Sequence, residues 1–166
     1  QLMTGAIKTA MLEQGVGHLV FPDNTQTLPA ADGQKAQGPA GRMANRAVGP
    51  PEDDLGAAAD MIAGAKRPMV ILGYGAKDSA PAITALAERL NAPVATTFKA
   101  KGLIGDAHPL AAGVMGRSGT PIASWFMNEA DLLIVFGASF SDHTGIEPSK
   151  PIIQIDRDPM MLAKRH

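Results

Sequence analysis

Pro68-Met69-Val70-Ile71-Leu72-Gly73-Tyr74-Gly75 is the stretch from which the fold is read. Met69 to Leu72 is an uninterrupted apolar run, too short for a helix and suited to a strand buried on both faces. The glycines behind it supply a turn. A helix then follows, with Asp78 standing as its N-cap and Ile83, Leu86, Ala87 and Leu90 recurring at the spacing of one helical face. Strand, turn and helix in that order make half of a crossover unit.

Towards the C-terminus the alternation continues. Pro93 stops the helix and Val94 to Thr97 forms a second strand. After a long loop, Thr120-Pro121 opens a helix carrying Ile122, Trp125 and Phe126, with Trp125 and Phe126 expected in the core. Leu132 to Phe136 is the third strand and Ile152 to Ile155 the last. Apolar strands alternating with amphipathic helices imply a parallel sheet covered on both faces with right-handed crossovers. The expected fold is thus a three-layer, Rossmann-like α/β domain.

Towards the N-terminus, Leu55, Ala58, Ala59 and Ile62 mark a helix that Gly64 can close. Residues 30–51 are rich in Ala, Gly, Gln and Pro without apolar period and read as a linker. Before them, Ile7, Ala10 and Met11 follow helical spacing, Gly15 is a C-cap candidate, and Leu19 to Phe21 form a strand stopped by Pro22. The expected division is residues 1–29 as the remnant of an upstream domain, 30–51 as linker, and 52–166 as the main domain. The opening on Gln1 and the ending Lys164-Arg165-His166 read as cuts in a longer protein.

The 166 residues are 45% hydrophobic and 19% charged, the balance of a globular domain with a real core. A net charge of −1, with scattered Lys and Arg, argues against nucleic acid as a partner. The absence of cysteine excludes disulfides, thiolate zinc sites and cysteine nucleophiles, and fits a reducing compartment, so the expected location is cytoplasmic. No apolar run is long enough to span a bilayer.

In open α/β sheets ligands bind beyond the carboxyl ends of the strands, so the residues just after each strand carry the chemistry. Gly73 and Gly75 permit a tight turn and close approach of a phosphate. Asp78, however, stands where the dinucleotide fingerprint needs its third glycine, and a plain strand-to-helix turn explains the pair equally well. Thr96, Thr97, Lys99 and Lys101 offer hydroxyls and cations to a ribose or phosphate, or make a solvated loop. Asp156 is placed to accept from ribose hydroxyls, or else caps the final turn together with Asp158. Gly137-Ala138-Ser139-Phe140-Ser141 begins like a nucleophile elbow but has Ser141 where the second glycine belongs, which leaves Ser139 a loop hydroxyl. The four histidines lie at no metal-ligand spacing.

Taken together, these stretches resemble the central domain of the thiamine-diphosphate enzymes related to pyruvate oxidase and acetolactate synthase. The likeness is carried by Ala92-Pro93-Val94-Ala95-Thr96-Thr97, Lys101-Gly102, His108-Pro109-Leu110, Gly113 and Gly116. It continues in Ala130-Asp131-Leu132-Leu133-Ile134-Val135-Phe136-Gly137 and in Ile153-Gln154-Ile155-Asp156-Arg157-Asp158-Pro159. Phe21-Pro22-Asp23-Asn24-Thr25-Gln26 echoes the close of the family's pyrimidine-binding domain, and Thr96-Thr97-Phe98-Lys99-Ala100-Lys101-Gly102 leans towards the pyruvate-oxidase branch.

The resemblance implies a parent enzyme, a homo-oligomer, that decarboxylates, oxidises or transfers the acyl group of a 2-oxo acid with thiamine diphosphate and magnesium. This chain would be its central, non-catalytic domain, docked to other domains of the parent. The family's Gly-Asp-Gly motif is absent, so no catalytic and no metal-binding residue is expected here. Central domains of the family hold FAD, mainly through its ADP half, or ADP, or nothing. For a nucleotide the resemblance points to Gly73, Gly75, Lys77, Thr97, Lys99, Ser139, Phe140 and Asp156. A stand-alone FAD- or ADP-binding module and an architectural domain with a vestigial site stay open beside it.

Overall fold

Three apolar runs become strands because each can bury both faces of its backbone ladder, and two less buried segments join them as the sheet's edges. The computed structural model describes residues 2–30, 32–33, 43 and 49–164. The chain divides into two compact units, Gln1–Pro50 and Pro51–His166.

The second unit holds β1 (Pro68–Leu72), β2 (Val94–Thr96), β3 (Ala111–Val114), β4 (Leu132–Phe136) and β5 (Ile152–Ile155). They form one sheet in the order β3-β2-β1-β4-β5, with every pair parallel. β1 and β4 are matched along their full length, from Pro68 against Leu132 to Leu72 against Phe136. The period of two in a strand then sorts the side chains. Met69, Ile71, Ala95, Leu133 and Val135 face one layer, packed with Ala123, Met127 and Ala130 of α5 (Pro121–Glu129) and its C-terminal end. Val70, Leu72, Val94, Leu132 and Ile134 face the other, packed with Ala80, Ile83 and Ala87 of α4 (Ala80–Leu90) and, more loosely, with Ile62 of α3 (Glu52–Gly64). The expected three-layer fold is the one observed.

Several local expectations are corrected. The segment expected as a long loop contains β3. Its Ala-Ala-Gly-Val run is too weakly apolar to stand out, and its pairing with β2 is irregular between Val94 and Thr96. Trp125 is 55% exposed: α5 buries Ala123 and Met127, half-buries Phe126, and presents Trp125 and Ile122 outward. Small residues on the inner stripe let the helix lie closer to the sheet than a tryptophan there would. Asp78 does not cap α4. It sits inside a 3-10 turn, Tyr74–Ser79, that precedes the helix. Helix α4 ends before Pro93, at Leu90, where Asn91 takes left-handed backbone with φ 48°.

One polar clasp fastens the sheet's amino edge. The Asp131 carboxylate accepts the backbone N–H groups of Lys66 (2.8 Å) and Arg67 (2.9 Å), tying the start of β1 to the start of β4. Burial pushes this carboxyl up, but those two hydrogen bonds, its own backbone N–H and the Arg67 charge outweigh it and hold the group below the usual range.

The first unit contains α1 (Leu2–Leu12) and a short α2 (Asp23–Gln26). The expected strand over Leu19 to Phe21 is absent, since the described residues of this unit offer its N–H and C=O groups no partner strand. Gln14, not Gly15, takes the left-handed position after α1, with φ 51°. Most of the expected linker, residues 31, 34–42 and 44–48, lies outside the described residues. Among the described residues no helix is long and apolar enough to cross a membrane.

Candidate functional site

A parallel sheet delivers all its strand-to-helix loops to one edge, and the order β3-β2-β1-β4-β5 reverses direction between β1 and β4. At such a reversal the loops leave towards opposite faces and a crevice opens beyond the carboxyl ends. A cleft of about 550 Å³ lies there, lined by the loops after β1, β2, β3 and β4.

Backbone hydrogen bonds tie the loops that line it. Gly73 N–H donates to Phe136 O (2.7 Å), Gly75 N–H to Gly137 O (3.0 Å), and Gly137 N–H to Ile155 O (2.8 Å). Gly137 has φ +55°, and a Cβ there would strike the Ala76 nitrogen, so the two loops close on each other only with glycine at this point. Gly73 is buried in the same contact and does not line the cleft, whereas Gly75 does.

The walls carry the side chains. Tyr74 comes from the β1 loop, and Thr97, Phe98 and Lys99 from the β2 loop. Met115, Arg117 and Ser118 come from the β3 loop, and Ser139, Ser141, His143 and Thr144 from the β4 loop. Tyr74 and Phe98 are 49% and 60% exposed, so two aromatic rings stand partly open to solvent in the lining. Among the described residues, Lys99, Arg117 and His143 are the ionisable nitrogen groups of the lining, and no carboxylate is among it. Such a cleft favours an anion attached to a flat ring over a cation or a neutral polar chain.

Of the residues proposed from sequence, Gly75, Thr97, Lys99 and Ser139 meet around this cleft. Phe140 instead packs, half-buried, against the sheet core. Lys77 lies over the Tyr74 ring, 5.1 Å from its centroid, outside the lining. Asp156 accepts the Asp158 N–H (2.9 Å) and Asp158 accepts that of Met160 (2.9 Å), an arrangement that caps the turn after β5. Asp78 also stays out of the lining, with its carboxylate 3.7 Å from the Arg157 guanidinium. Met115, Arg117 and Ser118 went unseen because they follow β3, whose weak pattern hid the loop. Ser141, His143 and Thr144 lie two to five residues beyond Ser139 on the loop already singled out.

Strand order, double-sided packing and a cleft at the topological reversal define an α/β domain of the Rossmann-like class. Within that class the chain belongs to the thiamine pyrophosphate enzymes of acetolactate synthase and pyruvate oxidase type, as their central domain: residues 55–166 match the family described as "Thiamine pyrophosphate enzyme, central domain". It is 32% identical over 165 residues, 99% of its own length, to 28% of the YdaP protein of Bacillus subtilis, provisionally named as thiamine pyrophosphate-containing. To the acetolactate synthase isozyme 1 large subunit of Escherichia coli it is 37% identical over 129 residues, 74% of this chain and 23% of that one. To the pyruvate oxidase of Lactiplantibacillus plantarum it is 28% identical over 171 aligned residues, 97% of this chain and 27% of that one. The chain thus spans about a quarter of the length of these relatives.

Thiamine diphosphate is held through magnesium, which requires clustered oxygen donors. Gly-Asp-Gly is absent, and among the described residues no three His, Asp or Glu side chains lie together in a metal-holding group. These residues do not fit a magnesium diphosphate site. The cleft's donor set does fit the ADP part of a flavin or a free nucleoside diphosphate.

Proposed function

We propose that this chain is the central, non-catalytic domain of a thiamine-diphosphate- and magnesium-dependent enzyme acting on a 2-oxo acid, and that its cleft holds the ADP part of FAD. The observation that carries the nucleotide reading is the lining itself: Lys99, Arg117 and His143 without a carboxylate, flanked by the exposed rings of Tyr74 and Phe98. The parent's 2-oxo acid chemistry and its homo-oligomeric state rest on the family alone, whereas the reading of residues 1–29, 30–51 and 52–166 as domain remnant, linker and central domain rests also on composition and apolar spacing. A cytoplasmic location rests on the cysteine-free composition.

Bound flavin supplies redox chemistry at its isoalloxazine ring. This chain's part is to bind and orient. Lys99 and Arg117 offset the pyrophosphate charge, the hydroxyls of Thr97 and Ser139 are available to the ribose, and Tyr74 or Phe98 offers a face for stacking. Gly75 leaves its stretch of the wall bare of side chain.

Thermal unfolding of the chain across a FAD titration tests the site. Saturable binding stabilises it by about 2.7 kcal/mol at a hundredfold excess over Kd, read as a rise in Tm. A Tm unchanged by FAD and by ADP would leave the cleft vestigial and the domain architectural. For the parent, turnover of pyruvate or a related 2-oxo acid that requires added thiamine diphosphate and magnesium is the expected result, and no turnover of any 2-oxo acid would refute it.

A further inference from the structure

The loops after β3 and β4 are stapled at one point. Arg117 N–H donates to the His143 carbonyl at 3.2 Å. Gly116 makes this possible, since its φ is +112° and a Cβ there would strike the same carbonyl. The neighbouring residue holds the β4 loop still: Thr144 is buried, its hydroxyl lies 3.1 Å from the Ser141 hydroxyl, and its N–H donates to Ser141 O at 2.9 Å. Arg117 and His143 are thus fixed at adjacent backbone positions, and both line the same cleft.

From these observations we propose that Arg117 and His143 form one anion clamp, in which the protonation of His143 sets how tightly the cleft holds a pyrophosphate. The clamp rests on the nucleotide reading above and deepens it. Arg117 stays charged at every working pH, whereas an imidazole changes charge between about pH 5 and 8. The groups around His143 set the sign. Arg117 on the β3 loop and Lys99 on the β2 loop are the two cations that share the lining with it, and Tyr74 on the β1 loop contributes a phenol. Asp142, next in sequence and exposed, lies outside the lining. A bound pyrophosphate diester, with two negative charges, offsets those two cations and favours an imidazolium in contact with it, so binding takes up a proton and affinity falls as pH rises.

FAD itself is the proper probe, because its pyrophosphate is a diester with no proton to gain or lose in this interval, unlike the terminal phosphate of ADP. Isothermal titration of the full chain with FAD at about pH 5.5 and about pH 8 should show Kd rising roughly three- to tenfold, the range of one partly exposed charge-assisted contact. His143→Gln should bind at both pH values with the affinity the native chain has at the higher one, and His143→Arg should restore tight, pH-independent binding. Riboflavin, which lacks the ADP part that the cleft holds, should bind at neither pH. A native Kd that is flat with pH, or a slope that survives in His143→Gln, overturns the clamp while leaving the FAD site intact. Failure of FAD to bind at either pH overturns both.

Discussion

Helices α1 and α4 each contain 11 residues, and both carry apolar side chains at helical spacing. Their fates differ. In α4, Ala80, Ile83 and Ala87 are buried against the sheet, whereas α1 buries nothing and leaves Leu2, Met3, Ile7 and Met11 between 51% and 80% exposed. An apolar stripe is therefore an invitation to pack, and the stabilisation arises only where a second surface removes it from water. The sheet of the second unit is such a surface. The described residues of the first unit contain no strand at all.

The sharpest way to break this comparison is to truncate one isoleucine in each region. Ile134→Ala, at a central β4 position only 1% exposed, should cost about 2–5 kcal/mol, because transfer and cavity terms add. Ile7→Ala should stay within about 0.5 kcal/mol. Urea midpoints of the two variants measure both, and equal losses would mean that α1 is buried after all.

A smaller effect probes the backbone contact between loops that line the cleft. Gly137→Ala should lose about 2–3 kcal/mol, because a non-glycine residue must take φ +55° with its Cβ against the Ala76 nitrogen. FAD binding should weaken along with stability. Retained stability with normal binding would show that the two loops separate at little cost.

The smallest effect concerns the clasp at the opposite edge and appears only with pH. Asp131 has its pKa lowered in the folded chain, so its contribution is fully present above the unfolded carboxyl value of about 3.9 and is lost as pH falls through the lower folded value. Asp131→Asn should be less stable than the native chain at pH 7, with the gap narrowing by about pH 3. A gap of constant size would assign the effect to geometry rather than to charge.

How much of this was legible beforehand depended on pattern strength. β1 and β4 announce themselves as apolar runs, whereas their pairing came only with the strand order. β3 did not, because Ala111, Ala112 and Gly113 carry too little apolar surface to signal a strand, and the loss of β3 concealed Arg117. Helix α5 shows a second kind of ambiguity. Ile122, Trp125 and Phe126 form one face at helical spacing, but Ala123, Phe126, Met127 and Ala130 form another, and the buried face is the second. Pattern alone favours the larger side chains. Close approach to the sheet favours the smaller.

The same division runs through the site. Local sequence determined the strand-turn-helix units, the glycines of the turns and the edge on which ligand-facing residues gather, because each depends on dihedral preference and apolar spacing within a few residues. Which of those residues meet was decided by tertiary structure alone. Asp156 is drawn into its own turn and Asp78 towards Arg157, while Lys99, Arg117 and His143 converge from three loops. Strand order and loop-to-loop hydrogen bonds set those meetings, and they join residues too far apart in sequence for any local pattern to register.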